Sequence, residues 1–237
     1  MQLSAPIYVL KRKAKLAARG NDIALHQALD KVAIEEGFNS WSHLVSSSAN
    51  ENPVRQILSQ LEPGDLALIG ARPGHGKTLL GLELAARASD VRRNGYFFTL
   101  DYHERDIAER LSSIGIHPSS INGSVVIDTS DDVSADYVIN RLGVEKEAAL
   151  IVVDYLQLLD QKRTNPSLDV QIRSLQRYVL ETGAICLMIS QIDRSFDLAE
   201  KSMPDISDIR LPNPVDLSAF RKLFFLRDGK IQFDRAA

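Results

Sequence analysis

Eight residues, Ala71-Arg72-Pro73-Gly74-His75-Gly76-Lys77-Thr78, restrict this chain more than any other stretch. The apolar run Leu66-Ala67-Leu68-Ile69 precedes them and suits a buried strand. Leu79-Leu80-Gly81-Leu82-Glu83-Leu84-Ala85-Ala86 follows and suits a helix. A Gly-rich loop ending in Lys-Thr between strand and helix reads as a phosphate-binding P-loop. Its glycines let backbone N–H groups turn inward, and the helix aims its positive end at the same point. Lys77 then reaches the β- and γ-phosphates, and the Thr78 hydroxyl is placed to ligate Mg²⁺. The cradle is expected to run from Ala71 through Leu79, with Ala71 where the general pattern has glycine. The plainer reading is a Gly-rich turn before an ordinary helix.

A hydrophobic content of 44% over 237 residues is enough for one α/β domain and a small accessory piece. No apolar stretch approaches a membrane span, and the N-terminus lacks the apolar core of a signal peptide. Cys186, the one cysteine, excludes an internal disulfide framework and sits in an apolar run as a small core residue. The cytoplasm is the expected compartment. Lys plus Arg number 28 against 31 Asp plus Glu, a formal net charge of -3. A grip on nucleic acid would therefore need a local patch or the inner surface of an oligomer.

Residues 6 to 46 look wholly helical. Tyr8, Leu10, Leu16 and Ala17 supply apolar positions of a first helix, with Gly20 as its cap. Ile23, Leu25, Leu29, Val32, Ala33 and Ile34 make the stripe of a second, which Asn21 or Asp22 can open. Ser40-Trp41 begins a short third. The expected division is a helical module over 1–48, a Ser/Asn-rich linker over 49–53, and an α/β domain over 54–237. In that domain strand-like and helical runs alternate, the pattern of a mostly parallel central sheet flanked by helices. Strands are expected near Leu66–Gly70, Gly95–Leu100, Val125–Asp128, Ala149–Asp154, Ala184–Ser190 and Leu223–Leu226. A hairpin return is expected at Lys230–Phe233 across Asp228-Gly229. Helices are expected at Lys77–Ala88, Glu104–Ile114, Ala135–Leu142 and Val170–Glu181. Asp193 to Val215 carries Pro204, Pro212 and Pro214 and reads as a long functional loop rather than core.

Three further signals join the P-loop. Ile151-Val152-Val153-Asp154 is an apolar strand ending in an acid, placed to hold Mg²⁺ as a Walker B element does. Asp101 ends Tyr96-Phe97-Phe98-Thr99-Leu100, where an acid could polarise an attacking water. Glu104 is its rival, and a helix cap is the plainer role for Asp101. Gln191, in Ser190-Gln191 after Ile185-Cys186-Leu187-Met188-Ile189, offers a neutral amide that can bond the γ-phosphate.

These segments resemble the ATPase domain of DnaB-type replicative helicases, within the RecA-like P-loop group. The resemblance is carried by Pro63-Gly64-Asp65-Leu66, Ala71-Arg72-Pro73…Gly76-Lys77-Thr78, Phe98-Thr99-Leu100-Asp101, Val153-Asp154-Tyr155-Leu156-Gln157-Leu158, Ser190-Gln191-Ile192-Asp193-Arg194-Ser195 and Ser207-Asp208-Ile209-Arg210. It covers roughly residues 54 to 235. The family's loop also begins with Ala and contains Arg-Pro, so Ala71 becomes a family marker. The resemblance implies ATP and Mg²⁺ as ligands, with Lys77 on phosphate, Thr78 and Asp154 on the metal, and Gln191 as sensor. Asp101 falls where the family has a catalytic glutamate and is one methylene shorter. Arg227, in Leu226-Arg227-Asp228-Gly229, falls in the segment carrying the family's trans-acting arginine finger. Phe225 replaces a basic residue there, and a turn-flanking surface arginine is the competing role for Arg227.

A finger in trans implies a homo-oligomer, a ring or filament, with a hexamer as the candidate ring. The family's loops touch single-stranded DNA. Arg194, Lys201 and Arg210 are the candidates here, interleaved with Asp197, Glu200, Asp205 and Asp208; Lys162 and Arg163 are a smaller pair. The N-terminal piece does not resemble the family's primase-interacting domain. Leu10-Lys11-Arg12-Lys13-Ala14-Lys15 and Glu36-Gly37-Phe38-Asn39-Ser40-Trp41 look similar to a small helical module labelled glyoxalase-related, whose partner is unknown. Its basic face (Lys11, Arg12, Lys13, Lys15, Arg19) is either solvated or a nucleic-acid contact. The implied function is a DNA helicase-like ATPase. The alternative is a nucleotide-gated regulator or adaptor with weak turnover and no unwinding.

Overall fold

The computed structural model describes residues 3–5, 7–20, 23–45, 52–99, 102–117, 119, 121, 123, 125–142, 149–160, 165–198, 201–211 and 215–235. The chain divides into two compact units, residues 1–56 and 57–237.

The first unit holds α1 (Ile7–Gly20), α2 (Leu25–Glu35) and a short α3 at residues 41–45. Leu10 and Ala14 on α1 and Ala28 and Val32 on α2 recur at four-residue spacing, so each helix has one apolar stripe. The stripes bury against each other and against Ala33 and Leu44, with Phe38 and Trp41 packed beside them. Lys13 pairs with Glu35 at 2.6 Å, and the Trp41 N–H donates to Asp30 at 2.8 Å. In sequence α4 (Pro53–Gln60) spans the division between units, and Asn52 caps it by accepting from the Val54 N–H at 2.9 Å.

The second unit is built on a seven-stranded sheet: β1 (Leu66–Ala71), β2 (Asn94–Thr99), β3 (Val125–Asp128), β4 (Ala149–Asp154), β5 (Ile185–Gln191), β6 (Lys222–Arg227) and β7 (Lys230–Arg235). Their spatial order is β3-β2-β4-β5-β1-β6-β7. The first six run parallel and β7 returns antiparallel. Asp228 and Gly229 both take positive φ, 50° and 74°, as a two-residue hairpin turn requires. The helices are α5 (Lys77–Ala86), α6 (Glu104–Ser113), α7 (Ala135–Arg141) and α8 (Leu168–Thr182). β1 and β4 are buried at every position, which is why β1 is an unbroken apolar run and β4 is one up to its last residue, Asp154. No described helix is long and apolar enough to cross a membrane.

Close packing makes one glycine indispensable. A Cβ on Gly95 would lie 2.0 Å from the Ala85 carbonyl oxygen of α5. Gly95→Ala is expected to cost about 3 kcal/mol or more, because the obstacle is backbone and not a yielding side chain. Urea unfolding with midpoint unchanged would sink that expectation.

Cys186 is fully buried in β5, and burial pushes its thiol pKa up to about 12. The native protein should therefore resist alkylation at pH 8 and react only as fast as it unfolds. Stoichiometric labelling in native buffer within minutes would contradict this.

The segment from Asp193 onward is not only loop. Phe196 and Ile209 are buried in the core around the sheet, and Ile192 forms an antiparallel bridge with Ile209. Two short 3₁₀ turns, Arg194–Leu198 and Ile206–Asp208, organise it. Apolar residues spaced without helix or strand period hid this anchoring from the sequence pattern.

Candidate functional site

Four strands end side by side at one edge of the sheet, in the order β4, β5, β1, β6. Their register sets Asp154 opposite Ile189, Gln191 opposite Ala71, and Ala71 opposite Leu226. Asp154, Gln191, the P-loop and Arg227 are thus neighbours at the carboxyl edge, where open α/β sheets bind ligands.

Gly74 and Gly76 take φ of 82° and 79°, a conformation that disfavours any side chain. A Cβ on either would meet nothing within 4 Å, so the space over the loop is open. Gly76 precedes α5 without a side-chain cap, which leaves the first-turn N–H groups to an external acceptor. Lys77 opens the helix with its ammonium 5.9 Å from the centre of the Tyr155 ring. Thr78 is buried, and Asp154 is fully buried at the end of β4. A hydroxyl and a carboxylate suit a hard cation, and the uncapped helix end suits phosphate. The residues present therefore fit a Mg²⁺-nucleotide. Thr99, the last residue of β2, pairs with Asp154. Asp101 lies outside the described residues, as does the side chain of Glu104 at the start of α6. Lys162, Arg163 and Glu200 also lie outside them, with Pro212, Pro214 and residues 46–51, which hold the end of the expected helical module and the start of the expected linker.

Arg72, expected in the phosphate cradle, is committed to the segment after β5. Its Nη1 donates to the Ile192 carbonyl at 3.0 Å, and its Nε and Nη2 clasp the Asp197 carboxylate at 3.0 and 2.5 Å. The other end of the loop touches the β6–β7 turn, with His75 Nδ1 3.5 Å from Asp228 Oδ1. Arg227 donates to the Lys201 and Ser202 carbonyls at 2.7 and 3.0 Å and lies 5.0 Å from the centre of the Phe196 ring. It is neither a bare surface arginine nor free to leave without breaking these contacts.

Gln157, legible only as part of the Asp-Tyr-Leu-Gln-Leu phrase, ties three elements together. Its Nε2 donates to the Arg210 carbonyl at 2.6 Å and to Ser190 Oγ at 3.3 Å. The Arg210 N–H in turn donates to the Gln191 carbonyl at 2.8 Å. Among the candidate DNA contacts, Arg194 and Arg210 are exposed, whereas Lys201 is engaged by Asp205 at 2.8 Å and Asp208 at 3.1 Å. The hydrogen bond from Lys201, and then that from Ser207, hold the Asp205 carboxyl down at about 2. A lowered carboxyl stabilises the fold above the ordinary carboxylate range and loses that contribution as pH falls from about 4 toward 2.

A family model described as the DnaB-like helicase C terminal domain matches residues 52–123 and 119–235. The replicative DNA helicase DnaB of Geobacillus stearothermophilus is 25% identical over 205 residues, 73% of this chain and 45% of that protein. The DnaB of Mycoplasma genitalium is 26% identical over 207 residues, again 73% of this chain and 44% of its own length. The chain thus spans about half the length of these curated relatives. A solved DnaB-like replicative helicase, described with its interactions with primase, superposes with a TM-score of 0.60 at 19% identity, covering 93% of this chain and 67% of its own. A second solved structure, of an ATPase domain, gives 0.58 at 19% identity over 77% of this chain and 79% of its own. The KaiC-like protein PH0186 of Pyrococcus horikoshii OT3 gives 0.52 at 17% over 68% and 70%. The fold is that of RecA-like ATPase domains.

Proposed function

We propose, because the chain belongs to the family of DnaB-like helicase C-terminal domains, that it binds and hydrolyses Mg²⁺·ATP and acts on single-stranded DNA as a homo-oligomer. The observation that carries this reading is the convergence of Lys77, Thr78, Asp154 and Gln191 at one sheet edge, on elements far apart in sequence.

In this reading the loop N–H groups and Lys77 hold the phosphates, and Thr78 and Asp154 hold the cation. A Mg²⁺ ion held by Thr78 and Asp154 would supply neutralisation of phosphate charge. Asp101 takes a proton from the attacking water, with Glu104 as its rival, and Gln191 registers the γ-phosphate. Arg72 and Gln157 then link that site to the segment 193–211, whose exposed Arg194 and Arg210 meet DNA phosphates. Arg227 acts on a neighbouring subunit once it lets go of the Lys201 and Ser202 carbonyls.

The test is the ATPase rate against single-stranded DNA, with mass by light scattering in parallel. Expected are a rate that rises with DNA and an assembly that needs Mg²⁺·ATP. A rate indifferent to DNA at every protein concentration sinks the helicase reading. The alternative, a nucleotide-gated adaptor with weak turnover, is favoured by one observation, the occupation of Arg227 within its own chain.

Asp197→Asn offers a finer test of the link. Nucleotide affinity should stay within about twofold, while stimulation by DNA falls roughly fivefold or more, the size of a modest coupling between sites. Equal stimulation in variant and parent would remove Arg72 from the link.

A further inference from the structure

The first unit carries a charge pattern unlike that of the other helices. Several cations elsewhere are paired with an acid four residues away: Arg87 with Glu83 at 2.8 Å, Arg105 with Glu109 at 4.0 Å, and Arg173 with Asp169 at 3.0 Å. Helix α1 has Lys11, Arg12, Lys13, Lys15 and Arg19 and no acid at all. Four of these face the same way. At about 100° per residue, Lys11, Lys15, Arg19 and Arg12 fall within an arc of about 100° that starts beside the buried stripe of Leu10 and Ala14 and runs away from it. All four are exposed, and among the described residues none has a carboxylate partner. Lys13 lies off the arc, and it is the one that Glu35 neutralises.

Such a face is unfavourable by itself. Lys11 and Lys15, and Lys15 and Arg19, are like charges at four-residue spacing, which destabilises a helix. A partner of opposite charge removes that repulsion. Between Lys11 and Arg19 the arc carries no aromatic side chain to stack on a base and no bulky apolar residue to enter a bilayer; the exposed Leu16 lies outside it. Tyr8 falls on the same line one turn earlier, and its side chain is outside the described residues. Four cations along about 12 Å of helix suit a row of phosphates.

We propose that the outer face of α1 is a binding surface for the phosphate backbone of nucleic acid, reading charge and not base, and independent of ATP. It lies outside residues 52–235, the part matched by the helicase family model, and rests on none of the nucleotide-site residues.

The experiment uses the full chain carrying Lys77→Ala, without nucleotide, and a labelled mixed-sequence 20-mer, single- or double-stranded. The parent is compared with Lys11→Gln/Arg12→Gln/Lys15→Gln/Arg19→Gln and with the off-arc control Lys13→Gln. Glutamine keeps the helix propensity of lysine and arginine, and circular dichroism checks the fold. Expected is a loss of at least about tenfold in affinity at low salt and a drop of about 3 in the slope of log K against log salt for the quadruple variant. Lys13→Gln should change neither. Unchanged affinity and slope in the quadruple variant overturn the proposal. So does an equal loss in Lys13→Gln, which would reveal net charge and not the arc. Tighter binding of the parent to phosphatidylserine vesicles than to either 20-mer, at equal salt, overturns it in favour of a membrane surface.

Discussion

Lys77→Ala is expected to lower ATP turnover by at least about a hundredfold, the scale of losing one electrostatic contact to transition-state charge. The fold should not notice. Lys77 is the first residue of α5, and the contact described for its ammonium is the Tyr155 ring at 5.9 Å, near the outer limit for a cation–π interaction. Alanine is the better helix former, so stability should stay within about 0.5 kcal/mol of the parent. Lys77→Arg separates charge from shape, because a planar guanidinium cannot replace a compact ammonium inside a backbone cradle. Phosphate release and thermal unfolding measured on the same samples decide the matter. Turnover within threefold of the parent, in a folded Lys77→Ala protein, would mean that the loop does not hold the reacting phosphates.

The largest expected loss of stability lies at the opposite edge of the sheet. Lys222 is buried at the start of β6, where its ammonium meets Asp65 Oδ2 at 2.7 Å and Glu62 Oε2 at 3.3 Å and donates to the Gln60 carbonyl. Asp65 is fully buried and also accepts from the Glu62 N–H at 2.7 Å. Lys222→Ala leaves that carboxylate with Arg221, whose Nη1 is 3.9 Å from Asp65 Oδ1, as its remaining cation. The expected cost is about 3–5 kcal/mol, since removing one partner strands a charge away from water. For a unit of this size the melting temperature should fall by roughly 10 °C. Replacing both partners, Asp65→Leu with Lys222→Met, should recover much of the loss, because the desolvation penalty goes with the pair. A drop below about 1 kcal/mol in the single variant would show that water reaches Asp65.

This pair explains a phrase that the sequence offered only as a likeness. Pro63-Gly64-Asp65-Leu66 marks the family, and its Asp65 is the anchor that ties the start of β1 to β6. Nothing local announced it. Asp65 and Lys222 are far apart in the chain, and Lys222 reads as a polar residue just outside a strand that begins at Leu223. In the sheet it is a strand residue opposite Ala67. A period-two pattern cannot reveal a buried lysine whose partner belongs to another element.

Where the controlling interactions are local, reading and structure agree closely. β3 and β4 have the residues expected of them, β1 and β7 run one and two residues past their expected ends, β5 and β6 differ by one residue at each end, and β2 starts one residue early, with Leu100 outside the described residues. Asp228-Gly229 makes the hairpin turn because both residues tolerate left-handed backbone. α8 starts two residues earlier than its apolar period suggests, and α5 stops at Ala86 with a 3₁₀ turn following at Ala88–Val91. Helix ends depend on caps and packing, which a periodicity does not contain.

Short windows of the chain were enough to read the strand–loop–helix of the P-loop, the buried acid at Asp154, the amide at Gln191 and the family they spell. Each of these is written in adjacent residues, where backbone preference and apolar period act directly. What Arg72, Gln157 and Arg227 touch, and that Phe196 and Ile209 are core, emerged only once the chain was folded. Those contacts join residues as much as 125 positions apart, as Arg72 and Asp197 are. Strand order and register bring such partners together, and neither is encoded in any short window of sequence.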